Sequence, residues 1–308
     1  QPAQHRADRL VLRDEEVEVP IDPADSRSAA VLWYSQTGNT ARYGRLIAHV
    51  LRGRGLDVVA GDYRTLGPAA VTGRDLVIAG TPVQYFDVPA NLRDFLTSLP
   101  PIAPARIAAY CTFGGPGGNV TNTAIRLLEA LADRGGVPVA FERFGNLSTF
   151  APTWSLGNEA RILAYRHLPD ASTYDRVRAF ATRVLDRARA GTGIETAKRP
   201  DPSDLFRGGL TRVPTKWMMG GHRIEASECV GCLACQEACP VGAIAVADGR
   251  IDSGACLACM GCVNHCPTGA LRMTFLGRDV EGWRRFSERV GIAIEEPSEL
   301  VPPDGGPA

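Results

Sequence analysis

Eight of the nine cysteines fall in two runs of one form, C-x2-C-x2-C-x3-C-P: CVGCLACQEACP over residues 229–240 and CLACMGCVNHCP over residues 256–267. The first run holds Cys229, Cys232, Cys235 and Cys239 before Pro240, and the second holds Cys256, Cys259, Cys262 and Cys266 before Pro267. Each cysteine of the second run lies 27 residues after its counterpart, and CPVGAI is echoed by CPTGAL, so the pair is an internal repeat. Three thiolates spaced by two residues wrap a loop around one iron–sulfur cubane, while the fourth, carried past it into a turn by the proline, suits a second cubane. Structural zinc uses paired CxxC units without a recurring third and fourth cysteine, and disulfide stapling belongs to oxidising compartments. The arithmetic therefore favours two 4Fe-4S clusters with exchanged fourth ligands. His265, beside Cys266, reads as a spacer, because the cysteine count is already complete.

The runs occupy a small part of a chain of 308 residues, a length that suits two domains with some linker. Formal net charge is +0, which leaves no bulk electrostatic footprint for nucleic acid or for an anionic membrane. No stretch approaches the roughly 18 apolar residues of a membrane span, and the first residues lack an apolar signal core, so a cytoplasmic location is expected.

From residue 29 an α/β rhythm takes over. Apolar runs at 29–35, 56–63, 75–80, 106–113 and 137–148 alternate with helical spacing at 39–55, 91–99, 119–135 and 170–191. Five strands alternating with helices predict a doubly wound five-stranded parallel sheet of flavodoxin-like size. The expected organisation is an extension at 1–28, with an edge strand at best; an α/β domain at 29–193; a Gly, Pro and Asp linker at 194–222; a small α+β cysteine domain at 223–276; and a tail at 277–308. Within the tail, DVEGWRRFSERVGIAI has the spacing of a short amphipathic helix, and covering the chain's own surface is the commoner fate of its Trp283 and Phe286. Cys111 ends an expected central strand and reads as a small buried apolar residue.

Directly after the first apolar run comes SQTGNT, and then a helix. Ser35, Gln36, Thr37, Gly38, Asn39 and Thr40 suit a phosphate dianion: unpaired N–H groups face out of the helix start, Gly38 permits a tight turn, and three hydroxyls can donate. There is no Gly-Lys-Ser/Thr ending, as a P-loop would need. A capped turn between strand and helix would look similar.

SQTGNT resembles the FMN-phosphate loop of flavodoxins. Two further loops lie where that family holds its isoalloxazine: TPVQYFDVP at 81–89, with Thr81, Pro82, Val83 and Tyr85, and TFGGPGGN at 112–119, with Thr112, Phe113, Gly114 and Gly115. All three follow the carboxyl ends of expected strands, where open α/β sheets bind ligands. The resemblance implies FMN, with Tyr85 or Phe86 and Phe113 stacking on the ring, whereas Trp154 reads as packing.

The cysteine repeat resembles the bacterial two-cluster ferredoxins over about 50 residues. That resemblance assigns Cys229, Cys232, Cys235 and Cys266 to one cluster and Cys256, Cys259, Cys262 and Cys239 to the other. Together the halves resemble fusions of a flavodoxin with a ferredoxin. The fusion implies an electron-transfer protein with FMN and two 4Fe-4S clusters, fed by a separate reductase and supplying a terminal oxidoreductase. No G-x-G-x-x-G follows an expected strand, and neither H-E-x-x-H nor G-x-S-x-G is present, so a dinucleotide site and hydrolysis are disfavoured. The alternatives are an FMN-dependent reductase of a quinone or other small acceptor, and an electron-transfer subunit docked through the chain's ends.

Overall fold

The strand Ser28–Trp33 (β2) is buried at every position from Ala29 on, as befits the centre of a parallel sheet covered on both faces. In this computed structural model, which describes residues 16–115, 120–197 and 209–300, it is flanked by Asp57–Asp62 (β3) and Leu76–Pro82 (β4). Arg106–Gly114 (β5) and Val137–Asn146 (β6) continue the sheet, so that the order is β3-β2-β4-β5-β6 with every pair parallel. Counted along the five strands this is 2-1-3-4-5, the flavodoxin-like order. The expected doubly wound sheet is what forms.

Helices Asn39–Gly53 (α1) and Ala171–Ala190 (α6) cover one face, where Tyr43, Leu46, Ile47, Val177, Phe180 and Val184 pack together. Ala90–Ser98 (α2) and Val120–Ala132 (α3) cover the other through Leu92, Leu96, Ile125 and Leu128. Cys111 lies fully buried in β5, where burial pushes its thiol up to about 12, so it serves as packing.

The N-terminal extension contributes Glu16–Pro20 (β1), which pairs antiparallel with Thr192–Thr196 (β7). Arg187 holds it, at 2.9 Å from Glu16 and 2.8 Å from Glu18. Two segments read as linker are therefore ordered elements: β7 at its start, and helix Gly209–Met218 (α7) running into strand Met219–Ile224 (β8) at its end. The expectations for residues 1–15, 116–119, 198–208 and 301–308 fall outside the described residues.

The cysteine-rich half is a small α+β unit. β8 pairs with Leu271–Phe275 (β11), which pairs with Arg278–Asp279 (β12), and Ile244–Ala245 (β9) pairs with Arg250–Ile251 (β10). The short helices Ala234–Glu237 (α8) and Gly261–His265 (α9) carry the third cysteine of each run, Cys235 and Cys262.

Trp283–Val290 (α10) is the expected tail helix. Its Phe286 is fully buried and stacks on Trp154 of Pro152–Ser155 (α4), with ring centroids 4.3 Å apart. Trp154 is thus packing, and the tail covers the chain's own surface. Beyond it Glu296 pairs with Arg42 at 2.7 Å and Glu299 with Arg178 at 2.7 Å, strapping the chain across α1 and α6. Among the described residues no helix is long and apolar enough to cross a membrane.

Candidate functional site

The carboxyl ends of β2, β4 and β5 open into a cleft of about 560 Å³. Ser35, Gln36, Thr37, Asn39 and Thr40 line it after β2, Pro82, Val83 and Tyr85 at the end of β4, and Thr112, Phe113, Gly114 and Gly115 at the end of β5. Two residues of the sequence-based set do not line it. Gly38 shapes the turn from the left-handed region, at φ 94°, and Thr81 is fully buried with its hydroxyl donating to the Pro82 carbonyl at 3.0 Å.

The loop fits a phosphate group on two counts. Among the described residues no side chain caps the first turn of α1, so its leading N–H groups keep their donors for a ligand. The Ser35 hydroxyl is buried in the cleft wall without a hydrogen-bond partner among the described residues, and a buried polar atom of that kind calls for one. Thr40 and Thr112 share a hydrogen bond of 2.8 Å, and Thr37 and Thr149 one of 3.0 Å, which fixes the remaining hydroxyls around the turn. The Asn39 side chain is engaged elsewhere, accepting from Arg42 at 2.7 Å.

Two cavities in the second half are each ringed by four cysteines. One gathers Cys229, Cys232, Cys235 and Cys266, and the other Cys239, Cys256, Cys259 and Cys262. This is the partition carried over from the ferredoxin motif. None of the nine cysteines forms a disulfide. Among the described residues no three His, Cys, Asp or Glu side chains converge on a point as a single-ion site requires; the sulfurs instead ring a space. Backbone N–H groups already point at them: Ala243 donates to Cys239 Sγ at 3.2 Å, Ala258 to Cys256 at 3.3 Å and Leu271 to Cys266 at 3.3 Å. Donors to sulfur stabilise thiolate and shift cluster potentials. His222 Nε2 lies 3.5 Å from Cys262 Sγ, and burial lowers its pKa.

The two halves meet at the cleft. Ala258 and Cys259 form part of its wall, together with Thr215 and Met218 of α7 and Phe275 of β11. The Tyr85 hydroxyl, whose pKa burial raises, donates to the Ala258 carbonyl at 2.6 Å. It joins the loop after β4 to the cysteine loop. Asn264 donates to the Thr149 carbonyl at 3.1 Å, and Arg64 donates to the Glu237 carbonyl at 3.4 Å. His265, read as a spacer, hydrogen-bonds the Gln36 carbonyl inside the loop after β2; since a carbonyl only accepts, Nε2 carries the proton.

Sequence reading missed three further stretches of the wall. Ser148, Thr149 and Phe150 follow β6, and the rule that ligands sit at carboxyl ends of strands would have flagged them. Arg161 and Tyr165, in and after helix Glu159–Leu163 (α5), carried no motif, and neither did Thr215 and Met218.

Residues 222–268 match the family model described as a 4Fe-4S dicluster domain. No curated protein matches the chain by sequence. Solved structures similar to the first half include a flavodoxin from the domain Archaea, 14% identical, covering 52% of this chain and 98% of that one with a TM-score of 0.39. The flavodoxin of Streptococcus pneumonia TIGR4 is 17% identical, covering 52% and 99% with a TM-score of 0.41. Rubredoxin oxygen:oxidoreductase from Desulfovibrio gigas is 16% identical, covering 55% of this chain and 37% of that one with a TM-score of 0.38. The fold assignment rests on strand order, and the iron–sulfur assignment on the family match.

Proposed function

We propose that this chain, a flavodoxin-like domain joined to a 4Fe-4S dicluster domain, relays electrons between FMN in the cleft and two 4Fe-4S clusters held by the cysteine sets. The observation that carries this reading is the shared cleft: Ser35 to Thr40 lie on one wall and Ala258 and Cys259 on another. FMN supplies storage for two electrons that can be released singly, whereas each cluster carries one. The chain's own residues bind and orient. Ser35, Thr37, Thr40 and the first turn of α1 would hold the phosphate, Gly115 would let backbone approach the ring while Gly114 makes room for Ser148 behind it, Phe113 would stack, and Tyr85 fixes the loop after β4 against the loop of Cys259. That cluster is the proximal one, and the cluster of Cys229, Cys232, Cys235 and Cys266 is distal.

A reductase of a small acceptor is the weaker reading, because the Tyr85 side of the cleft is taken up by Ala258, Cys259 and Thr215. The domain limits that go with the relay are the 29–193 and 223–276 expected from the sequence, widened so that β7 stays whole in the first and β8 and β12 belong to the second, with a cytoplasmic reductase as donor and a terminal oxidoreductase as acceptor.

The test is made on anaerobically purified protein. Iron, acid-labile sulfide, zinc and released flavin are counted, and the flavin is then photoreduced while visible absorbance is followed. About eight iron and eight sulfide per FMN are expected, from two cubanes, with cluster bleaching following flavin reduction. Zinc without sulfide, or flavin and clusters that never exchange electrons, would sink the proposal.

A further inference from the structure

We propose that the flavin cleft and the cysteine loop 256–262 are thermodynamically one site: a filled proximal cluster tightens the hold on flavin, and a lost cluster releases it. The inference rests on the relay reading and adds a regulatory coupling to it.

Two strained loops meet at the seam. On the flavin side Tyr85 and Phe86 have φ of 52° and 58°, and on the cysteine side Ala258 and Met260 have φ of 57° and 64°. None of the four is glycine, so each holds a sparsely populated conformation that persists only while its surroundings impose it. The link between the loops is the bond from the Tyr85 hydroxyl to the Ala258 carbonyl, 2.6 Å long, with Thr215 as a second hydrogen-bond partner of that hydroxyl. Ala258 lies between Cys256 and Cys259, so ligation of those cysteines pins its carbonyl where Tyr85 meets it. Without ligation Ala258 and Met260 relax to negative φ, the acceptor swings away, and the Tyr85–Phe86 turn loses its support. The ring-side wall then opens.

A second contact acts in the same sense on the phosphate loop. His265, next to the ligand Cys266, bonds the Gln36 carbonyl, and Asn264 bonds the carbonyl of Thr149, whose hydroxyl meets Thr37. Both flavin loops are therefore held by segments that contain cluster ligands. Coupling of this kind is reciprocal: bound flavin must protect the cluster by the same factor.

The experiment uses the full chain under argon. FMN affinity is measured by quenching of FMN fluorescence, with the clusters loaded and after their removal with a chelator. Iron loss to the chelator is timed with and without FMN. Wild type is expected to bind FMN at least tenfold more tightly when loaded, and to lose iron at least threefold more slowly with FMN present. Tyr85→Phe keeps the ring and removes only the donor; it is expected to bring the affinity ratio below about threefold and to abolish most of the protection against iron loss. The iron-loss arm needs no cluster-free protein, so unfolding of that form cannot mimic the result. Equal FMN affinities with and without clusters, or a Tyr85→Phe protein with wild-type ratio and wild-type protection, would overturn the coupling while leaving the relay intact. Failure of the fully loaded protein to take up FMN would overturn the relay reading itself.

Discussion

Gly44 sits in the middle of α1, where glycine costs about 1 kcal/mol relative to alanine. The reason for it is space. A methyl group there would collide with the Trp33 indole and stand 2.7 Å from the Tyr110 hydroxyl. Tyr110 is fully buried and donates to the Thr40 carbonyl at 2.9 Å, so displacing it would pull on the turn that floors the cleft. Overpacking of about 1–3 kcal/mol outweighs a propensity gain of about 1 kcal/mol. Gly44→Ala is therefore expected to lower the thermal midpoint by a few degrees (about 2–4 °C per kcal/mol), followed by circular dichroism; a higher midpoint would mean that propensity wins. The role of Gly44 was not legible in the sequence, because Trp33 and Tyr110 come to it from two different strands. The place of Ser35 to Thr40 in the cleft was legible for the opposite reason: the turn and its three hydroxyls lie in six consecutive residues.

Among the elements, strands and helices of the sheet could be read from the sequence, since the central strands β2, β4 and β5 are apolar runs buried along nearly their whole length. The tail helix was readable too, but its continuation as a strap was not. The sequence EEPSEL carries three acids, and only the fold shows that Glu296 and Glu299 face Arg42 and Arg178. The hydrogen bonds from the Arg178 guanidinium hold the Glu299 carboxyl down to about 2, from the ordinary 4.5. A carboxylate depressed in this way contributes stability that is fully present above its unfolded value and is lost as pH falls toward its folded one. At pH 4.5, where an ordinary glutamate is half protonated, Glu299 is expected to remain ionised. Arg178→Ala is expected to return it to half protonation, read from the carboxyl 13C shift. An ordinary titration in the wild type would show that the strap is not seated on α6. Arg178 and Glu299 are both partly exposed to solvent, so the contribution to total stability is that of a surface pair, about 1 kcal/mol or less.

For the whole molecule, the sequence shows two modules but not how they face each other, since no local pattern encodes a contact between residues far apart in the chain. Asn264 illustrates this. It lies inside a cysteine motif as an unremarked x residue, yet it is 2% exposed and joins three parts of the protein. Its amide donates to the Thr149 carbonyl in the cleft wall at 3.1 Å, and its carbonyl accepts from the Trp283 N–H at the start of α10 at 3.0 Å. Asn264→Leu has similar volume but strands both partners at a buried seam, each worth about 1–3 kcal/mol. The loss is expected to be about 2–4 kcal/mol and to fall on the contact between halves more than on either core. In wild type, urea unfolding followed by tryptophan fluorescence and by cluster absorbance should trace one coincident transition, as a cooperative molecule does. In Asn264→Leu the two traces should separate, the cluster signal moving to lower urea. If they stay coincident and shift together by less than about 1 kcal/mol, the halves are held by the apolar contacts of Trp154, Phe286 and Phe275, and Asn264 is only a spacer between cysteines.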